Sequence, residues 1–114
     1  MAIEPGTYNF TLQRRSDHTI PLIFKDSNNN AINLTGFTVA AQVWEETRNH
    51  KFADFSVTYT DRSAGSVSIT LTDAQTETFT VPTLKYDVLL IDAGGNREYY
   101  LEGTITMSEG YTAT

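Results

Sequence analysis

The sequence predicts an all-β fold, an immunoglobulin-like antiparallel β-sandwich of about seven strands. Polar and apolar residues alternate along most of the chain, which is the two-residue period of a strand with one buried face. The alternating segments are rich in Thr, Val, Ile, Phe and Tyr, which favour strands. Turn residues interrupt these segments at roughly 8–12-residue spacing, which is typical of sandwiches and barrels.

Seven strands meet these criteria. They are predicted at 7–14, 18–25, 37–45, 52–60, 66–72, 84–91 and 97–108. Because side chains alternate between the two faces of a strand, one set on each strand is expected in the core. The predicted core residues are Leu22, Val39, Val43, Val57, Val67, Ile69, Leu71, Val88, Leu90, Leu101 and Ile105.

Polar and glycine-containing segments connect the strands. The run 26–30 is Asp-Ser-Asn-Asn-Asn and predicts a turn. Gly94-Gly95 predicts a hairpin that requires a positive φ angle. Residues 73–79 are mostly polar and predict a short helical turn capped by Thr72 or Asp73.

Length and charge limit the classes of function. We predict one domain over 1–114 with a loose tail at 109–114. The net charge of −6 opposes binding to nucleic acid or to an anionic membrane surface. The chain has no cysteine, which excludes disulfides, thiolate metal sites and a cysteine nucleophile. No apolar run approaches the ~20 residues of a membrane span, and no secretory signal is expected at the N-terminus.

Tyr86 begins the segment Tyr86-Asp87-Val88 at the start of a predicted strand. In immunoglobulin-type sandwiches a Tyr at this corner, two residues before an inward position, bonds back to the nearby backbone. Trp44 lies on the strand that would carry the core Trp of that pattern. Two interpretations of Tyr86 remain open: this tyrosine corner, or an ordinary half-buried strand tyrosine.

No catalytic residues are predicted. Ser16-Asp17-His18 contains the residue types of a hydrolase triad, but adjacent residues point in different directions and cannot form the required chain. Asp87 and Glu102, on two predicted strands, are available for glycosidase chemistry, which also needs a cleft that holds the sugar. Solvated strand carboxylates are the preferred interpretation.

No metal or cofactor is expected either. Residues 26–30 match the first five positions of an EF-hand loop, but Ala31 replaces the required Gly and Phe37 replaces the bidentate Glu. A turn closed by Asp and Asn side chains is preferred. Gly94-Gly95 is not followed by a helix, so it is not a phosphate-binding loop.

Four segments, in order, carry a resemblance to a known family. They are 32–45 (INLTGFTVAAQVWE), 68–76 (SITLTDAQT), 86–92 (YDVLLID) and 101–107 (LEGTITM). Together they resemble a family of small tailed-bacteriophage proteins that is similar to the N-terminal domain of phage baseplate upper proteins. Those modules attach receptor-binding proteins to the tail. The similarity covers about residues 8–108.

The resemblance implies an immunoglobulin-like sandwich that serves as a virion building block and carries no catalytic residues. The predicted function is a bacteriophage virion structural protein, an assembly or adaptor module of the tail, baseplate, neck or capsid surface, and not an enzyme. Its expected partners are other virion proteins or copies of itself. The alternative is a carbohydrate-binding or adhesion module with a host-surface glycan as partner, in which Trp44, Tyr99 or Tyr100 forms the sugar platform.

A candidate protein–protein interface follows from the alternation. If Val43, Val88 and Leu101 point into the core, their neighbours point outward. The four large apolar or aromatic side chains expected on this outer face are Trp44, Leu89, Ile91 and Tyr100. Clusters of this kind mark contacts with a partner or a second copy. Two alternatives remain open: the charged loop 45–51 covers these side chains, or a β-bulge turns Trp44 inward.

Overall fold

The computed structural model describes residues 6–26 and 28–109. Its strands are β1 (Gly6–Thr7), β2 (Phe10–Gln13), β3 (His18–Ile23), β4 (Thr38–Glu45), β5 (Lys51–Asp54), β6 (Ser56–Asp61), β7 (Ser66–Leu71), β8 (Thr83–Ile91) and β9 (Arg97–Ser108). The described residues also form a 3₁₀ turn at Arg62–Ala64 and a short helix, α1 (Asp73–Glu77). Within these residues, neither helical segment has the length and apolar character needed to cross a membrane.

Two sheets pack face to face, which confirms the predicted all-β sandwich. The six-stranded sheet has the order β1-β9-β8-β4-β5, with β2 also paired to β9. The three-stranded sheet has the order β3-β7-β6. The antiparallel prediction is wrong for two strand pairings, because β1 and β2 both run parallel to β9. No hairpin connects these strands, so their direction is not constrained by a tight turn.

The core lies between the sheets and contains most of the residues that alternation predicted. Leu22, Val57 and Leu101 are only half-buried and pack against it, whereas the other predicted core residues are buried. The core also includes large side chains that were not among the predicted core residues. They come from strand ends and connections: Phe24, Leu34, Phe79 and Leu84.

The predicted strand 52–60 is two strands in two different sheets. β5 pairs with β4 in the six-stranded sheet, and β6 pairs with β7 in the three-stranded sheet. Phe55 lies between them, is buried, and donates its backbone N–H to the Ala41 carbonyl oxygen at 2.9 Å. A strand that changes sheets in this way forms a corner of the sandwich.

Helix α1 has the cap that the sequence predicts, with Thr72 as the capping residue. The Gln75 backbone N–H donates to Thr72 Oγ1 at 3.3 Å, and the Thr72 backbone N–H donates to Gln75 Oε1 at 2.9 Å. This reciprocal pair satisfies backbone donors that a helix end leaves free. Thr76 is completely buried, and its hydroxyl donates to the Ser16 carbonyl oxygen at 2.8 Å, which attaches α1 to the β2–β3 connection.

Tyr86 does not form the tyrosine corner, which was one of the two interpretations left open. It is buried, and its hydroxyl donates to the backbone carbonyl oxygen of Tyr8, 78 residues earlier, at 2.6 Å. That carbonyl approaches β9 so closely that a Cβ atom on Gly103 would lie 1.9 Å from it. Glycine is therefore required at position 103, because the segment between β1 and β2 passes so close to β9. The Tyr86 hydroxyl supplies the hydrogen bond that the buried Tyr8 carbonyl needs.

The turns follow the side-chain chemistry that the sequence indicates. Asp26 Oδ1 accepts the backbone N–H groups of Asn28 and Asn30 at 2.9 and 3.0 Å, which is the expected Asx turn. In the β8–β9 hairpin Gly95 has a φ of +85°. Glu109 binds Arg14 and Arg15 at 2.6 and 2.7 Å, so this first residue of the predicted loose tail is held. The remaining tail, 110–114, lies outside the described residues.

Candidate functional site

The outer face of the six-stranded sheet carries three of the four predicted interface residues. Trp44 lies opposite Lys85, Leu89 lies opposite Ala40, and Ile91 lies opposite Thr38 in the β4–β8 ladder. Each of the three side chains is half-buried. They follow the alternation, because their neighbours Val43, Val88 and Leu90 are in the core.

Tyr100 is not on this face, so its predicted position is wrong. The β8–β9 register shifts between Val88, which pairs with Leu101, and Leu89, which pairs with Tyr99. Tyr100 is the extra residue of the resulting β-bulge, and its ring packs on the buried Phe24 with centroids 4.4 Å apart. Its hydroxyl accepts the Lys25 backbone N–H at 2.9 Å. A bulge places two successive side chains on one side of a strand, which alternation cannot anticipate.

Tyr99 takes the outward position instead and is 50% exposed. It lies opposite Leu89 across the β8–β9 ladder. Together with Ala40 and Ile91, these side chains form a surface that we call the apolar patch (Ala40, Leu89, Ile91 and Tyr99). The patch occupies the half of the outer face nearest the β8–β9 hairpin.

Trp44 is not part of the apolar patch and makes polar contacts of its own. The guanidinium carbon of Arg48 lies 4.3 Å from the centroid of the Trp44 ring. The indole Nε1 donates to Gln42 Oε1 at 2.8 Å. The alternative in which the charged loop 45–51 covers the outer face is therefore confirmed for Trp44. A guanidinium over an indole ring is also a favourable cation–π contact.

The other half of the outer face is concave, with a volume of about 550 Å³. We call this concavity the outer groove. Its floor includes two cross-strand rows: Thr7–Glu102–Asp87–Gln42 and Thr104–Lys85–Trp44. Tyr99 borders the groove as well as the apolar patch. The residues that line it are Thr7, Asn9, Gln42, Trp44, Glu45, Glu46, Arg48, Lys85, Tyr86, Asp87, Tyr99, Glu102, Gly103 and Thr104.

Asp87 and Glu102 are two neighbouring carboxylates in the lining of the outer groove. They lie directly opposite each other in the β8–β9 ladder. Partial burial raises the pKa of Asp87, the neighbouring Glu102 carboxylate raises it further, and Arg48 opposes these effects. Two like charges directly opposite each other destabilise a sheet. Neither carboxylate makes a hydrogen bond or an ion pair with another residue of 6–26 or 28–109.

The groove also contains donors whose orientation is fixed. Gln42 Oε1 accepts the indole N–H of Trp44, so the amide NH₂ of Gln42 is the group that remains as a donor. Asn9 Oδ1 accepts the Thr104 backbone N–H at 2.8 Å, which leaves the Asn9 amide NH₂ in the same way. Lys85 Nζ donates to Thr104 Oγ1 at 2.8 Å. The groove therefore has both hydrogen-bond donors and acceptors.

The residues Ser16, Asp17 and His18 have separate partners. Ser16 Oγ donates to the Gln13 carbonyl oxygen, and Asp17 Oδ1 accepts the Asp73 backbone N–H. The His18 ring stacks on Phe10 with centroids 4.8 Å apart, and burial lowers its pKa. The structure does not bring the three side chains into a nucleophile–base chain. Among residues 6–26 and 28–109, no group of three or more His, Asp or Glu side chains could hold a metal ion.

Comparison with known proteins does not assign the chain to a family. No protein-family model matches it, and no curated protein matches its sequence. Its candidate functional surfaces are therefore the outer groove and the apolar patch. Sequence reasoning paired Asp87 with Glu102 across two predicted strands and noted Tyr99 separately. The register of β8 with β9, which places Tyr99 opposite Leu89, brings Tyr99 to the same face as the two carboxylates.

Proposed function

We propose that this protein is a structural module of a bacteriophage virion, an assembly or adaptor component of the tail, baseplate, neck or capsid surface, and not an enzyme. The observation that carries the proposal is the series of four phage-like motifs at 32–45, 68–76, 86–92 and 101–107, in that order. In the structure these motifs occupy positions with strict packing or backbone requirements.

The first motif forms the entry to β4. Leu34 is completely buried, and Gly36 has a φ of +82°, a conformation that favours glycine. The guanidinium of Arg62 donates to the carbonyl oxygens of Leu34 and Phe37 at 3.2 and 2.7 Å. The Leu-Thr-Gly-Phe segment is thus held by a buried side chain, a left-handed glycine and a charged donor.

The later motifs have equally specific positions. The second places Ile69 and Leu71 in the core and continues into the Thr72–Gln75 cap of α1. The third and fourth meet where the Tyr86 hydroxyl and Gly103 accommodate the Tyr8 carbonyl. The motifs therefore describe the frame of one particular sandwich, which supports the resemblance to the phage family.

Particle composition tests the proposal. Purified particles of the phage that encodes this chain should contain it at a fixed copy number relative to the major tail and capsid proteins. Quantitative mass spectrometry measures that ratio, and labelling with antibody-coated gold locates the protein on the particle. Washing with high salt controls for loose adsorption. A chain that is synthesised during infection but absent from washed particles would overturn the proposal.

Within this proposal, the apolar patch contacts a neighbouring virion protein. Leu89→Asp with Ile91→Asp should leave the sandwich folded and reduce incorporation into particles, because burying two carboxylates against a partner is unfavourable. Ile23→Asp is the matched control, since Ile23 is a 56% exposed apolar residue of the other sheet. Light scattering of the purified chain distinguishes a copy of itself from a different partner. Equal incorporation of both variants would exclude the patch as the contact.

A further inference from the structure

The outer groove has the size and shape of a binding site for a small ligand. Its volume of about 550 Å³ lies within the range of ligand sites, roughly 300–1,000 Å³. It is built on three adjacent strands, β4, β8 and β9, so its polar groups are held at fixed spacing by the ladder. Sites on regular elements keep their geometry better than sites on loops.

The carboxylates of the groove are positioned to accept hydrogen bonds from a ligand. Asp87 and Glu102 lie side by side at half-buried and exposed positions, with no hydrogen-bond partner among the described residues. Each carboxylate oxygen accepts hydrogen bonds, and a carboxylate can accept two parallel ones from adjacent donors. Neighbouring hydroxyl groups on a sugar ring are donors with this spacing.

The donors of the groove complement these acceptors. The amide NH₂ groups of Gln42 and Asn9 remain after their oxygens are occupied by Trp44 Nε1 and the Thr104 backbone N–H. A hydroxyl group both donates and accepts. A ligand with many hydroxyl groups therefore satisfies the carboxylates and the amides together, which a purely cationic ligand cannot do.

The aromatic side chain that borders the groove is Tyr99, which is 50% exposed. Its ring carries negative charge density on its face, which attracts the positively polarised C–H groups of an apolar ligand surface. One face of a pyranose ring consists of such C–H groups, while its hydroxyls project around the edge. Trp44 also lines the groove, but Arg48 already covers one face of its ring.

From these observations we infer that the outer groove binds an uncharged saccharide, with one ring on Tyr99 and its hydroxyls on Asp87, Glu102 and the Gln42 amide. Charge selects against acidic sugars. The groove is lined by four carboxylates (Glu45, Glu46, Asp87 and Glu102) and two cations (Arg48 and Lys85), and the whole chain has a net charge of −6. The inference does not rest on a role in a virion.

Binding to immobilised oligosaccharides tests the inference with the purified chain. The neutral set contains oligosaccharides of glucose, galactose, mannose, rhamnose and N-acetylglucosamine, and the acidic set contains sialylated and uronic-acid oligosaccharides. We expect binding to at least one neutral oligosaccharide and weaker binding to every acidic one. No binding to the neutral set, or equal binding to both sets, would overturn the inference.

Two variants then locate the site. Tyr99→Ala should raise the Kd for the bound neutral oligosaccharide about tenfold or more, and so should Asp87→Asn with Glu102→Gln, which keeps the side-chain shapes. Ile23→Ala and Glu77→Gln, at exposed positions outside the groove, are the matched controls and should leave the Kd unchanged. Thermal denaturation checks that each variant is folded. If folded groove variants bind as well as the controls, the groove is not the site.

The outcome of the saccharide-binding test is distinguishable from the outcome of the virion-incorporation test. Loss of saccharide binding in Asp87→Asn with Glu102→Gln, with normal incorporation into particles, would separate the two functions, because neither residue belongs to the apolar patch. Presence in particles without binding to any neutral oligosaccharide would overturn the saccharide inference alone.

Discussion

The two faces of the β8–β9 ladder consist of alternating residues of the same strands, yet their polar groups differ in whether they have partners within the chain. On the inner face, Tyr86 and Gly103 lie opposite each other and accommodate the carbonyl of Tyr8. On the outer face, Asp87 and Glu102, the neighbours of these residues, lie opposite each other in the outer groove. The inner pair is satisfied within the chain, whereas the outer pair makes no hydrogen bond or ion pair with another described residue.

This difference separates stability from binding. The inner pair leaves no room for an added carbon atom on Gly103, so substitutions there should lower the free energy of unfolding. The outer pair lowers stability slightly, because it places two carboxylates side by side. A pair that costs stability and makes no hydrogen bond or ion pair with another described residue is consistent with a role in ligand binding.

The largest expected effect is that of Gly103→Ala. The added Cβ would lie 1.9 Å from the Tyr8 carbonyl oxygen, so the segment between β1 and β2 must move away and lose its bond to Tyr86. Overpacking and the lost bond together predict a fall of about 3 kcal/mol or more in the free energy of unfolding. Urea denaturation measures it.

Glu102→Ala is the control for this substitution, one residue earlier on the opposite face, and it should change stability by less than about 0.5 kcal/mol. If Gly103→Ala and Glu102→Ala were equally mild, the contrast between the two faces would be wrong.

Tyr86→Phe should have an intermediate effect. It removes only the hydroxyl that donates to the Tyr8 carbonyl at 2.6 Å and leaves that acceptor without its donor. We expect a loss of about 1–3 kcal/mol and faster hydrogen exchange at the Tyr8 backbone N–H, which donates to the Glu102 carbonyl oxygen. Tyr99→Phe is the control, because Tyr99 is 50% exposed on the outer face. Unchanged exchange at Tyr8 would show that the hydroxyl does not hold this strand.

The smallest expected effect is that of Asp87→Asn, and its sign is opposite. The pKa of Asp87 is raised in the folded state, so the folded protein holds that proton more tightly than the unfolded chain does. Stability therefore falls as the pH rises from the unfolded pKa, about 3.9, through the folded one. Asp87→Asn should raise the free energy of unfolding at pH 7 by less than about 1 kcal/mol.

The gain from Asp87→Asn should disappear near pH 3, where the native carboxyl is protonated in both states. Thermal denaturation at several pH values measures this trend, with Glu77→Gln as the exposed control. A gain that persists unchanged at low pH would mean that the charge of Asp87 is not its cause.

Much of the sandwich could be predicted from short-range sequence patterns. The strand predicted at 97–108 has the bounds of β9, and the helical turn after Thr72 has the predicted cap. Val39, Val43 and Val88 are buried as predicted, because the alternation of inward and outward side chains is uninterrupted at these positions. Two of the outward residues, Leu89 and Ile91, were predicted for the same reason.

The features that alternation could not reveal arise where the chain meets distant segments. Tyr100 turns inward because a bulge in β9 brings its ring onto Phe24 and its hydroxyl to the Lys25 backbone. Phe55 divides one apparent strand between two sheets. Tyr86 bonds to Tyr8 rather than to its own corner, because the first strand packs parallel to the last.

The sequence by itself determined the all-β class, the strand positions along most of the chain and the side-chain chemistry of its turns. These depend on residue type and on contacts within a few positions. Only the tertiary structure decided that Asp87, Glu102, Gln42 and Tyr99 border one groove and that Gly103 makes room for a carbonyl 95 residues away. Strand order and register join residues that no local period relates, because hydrogen bonds between strands are made wherever the whole sandwich packs best.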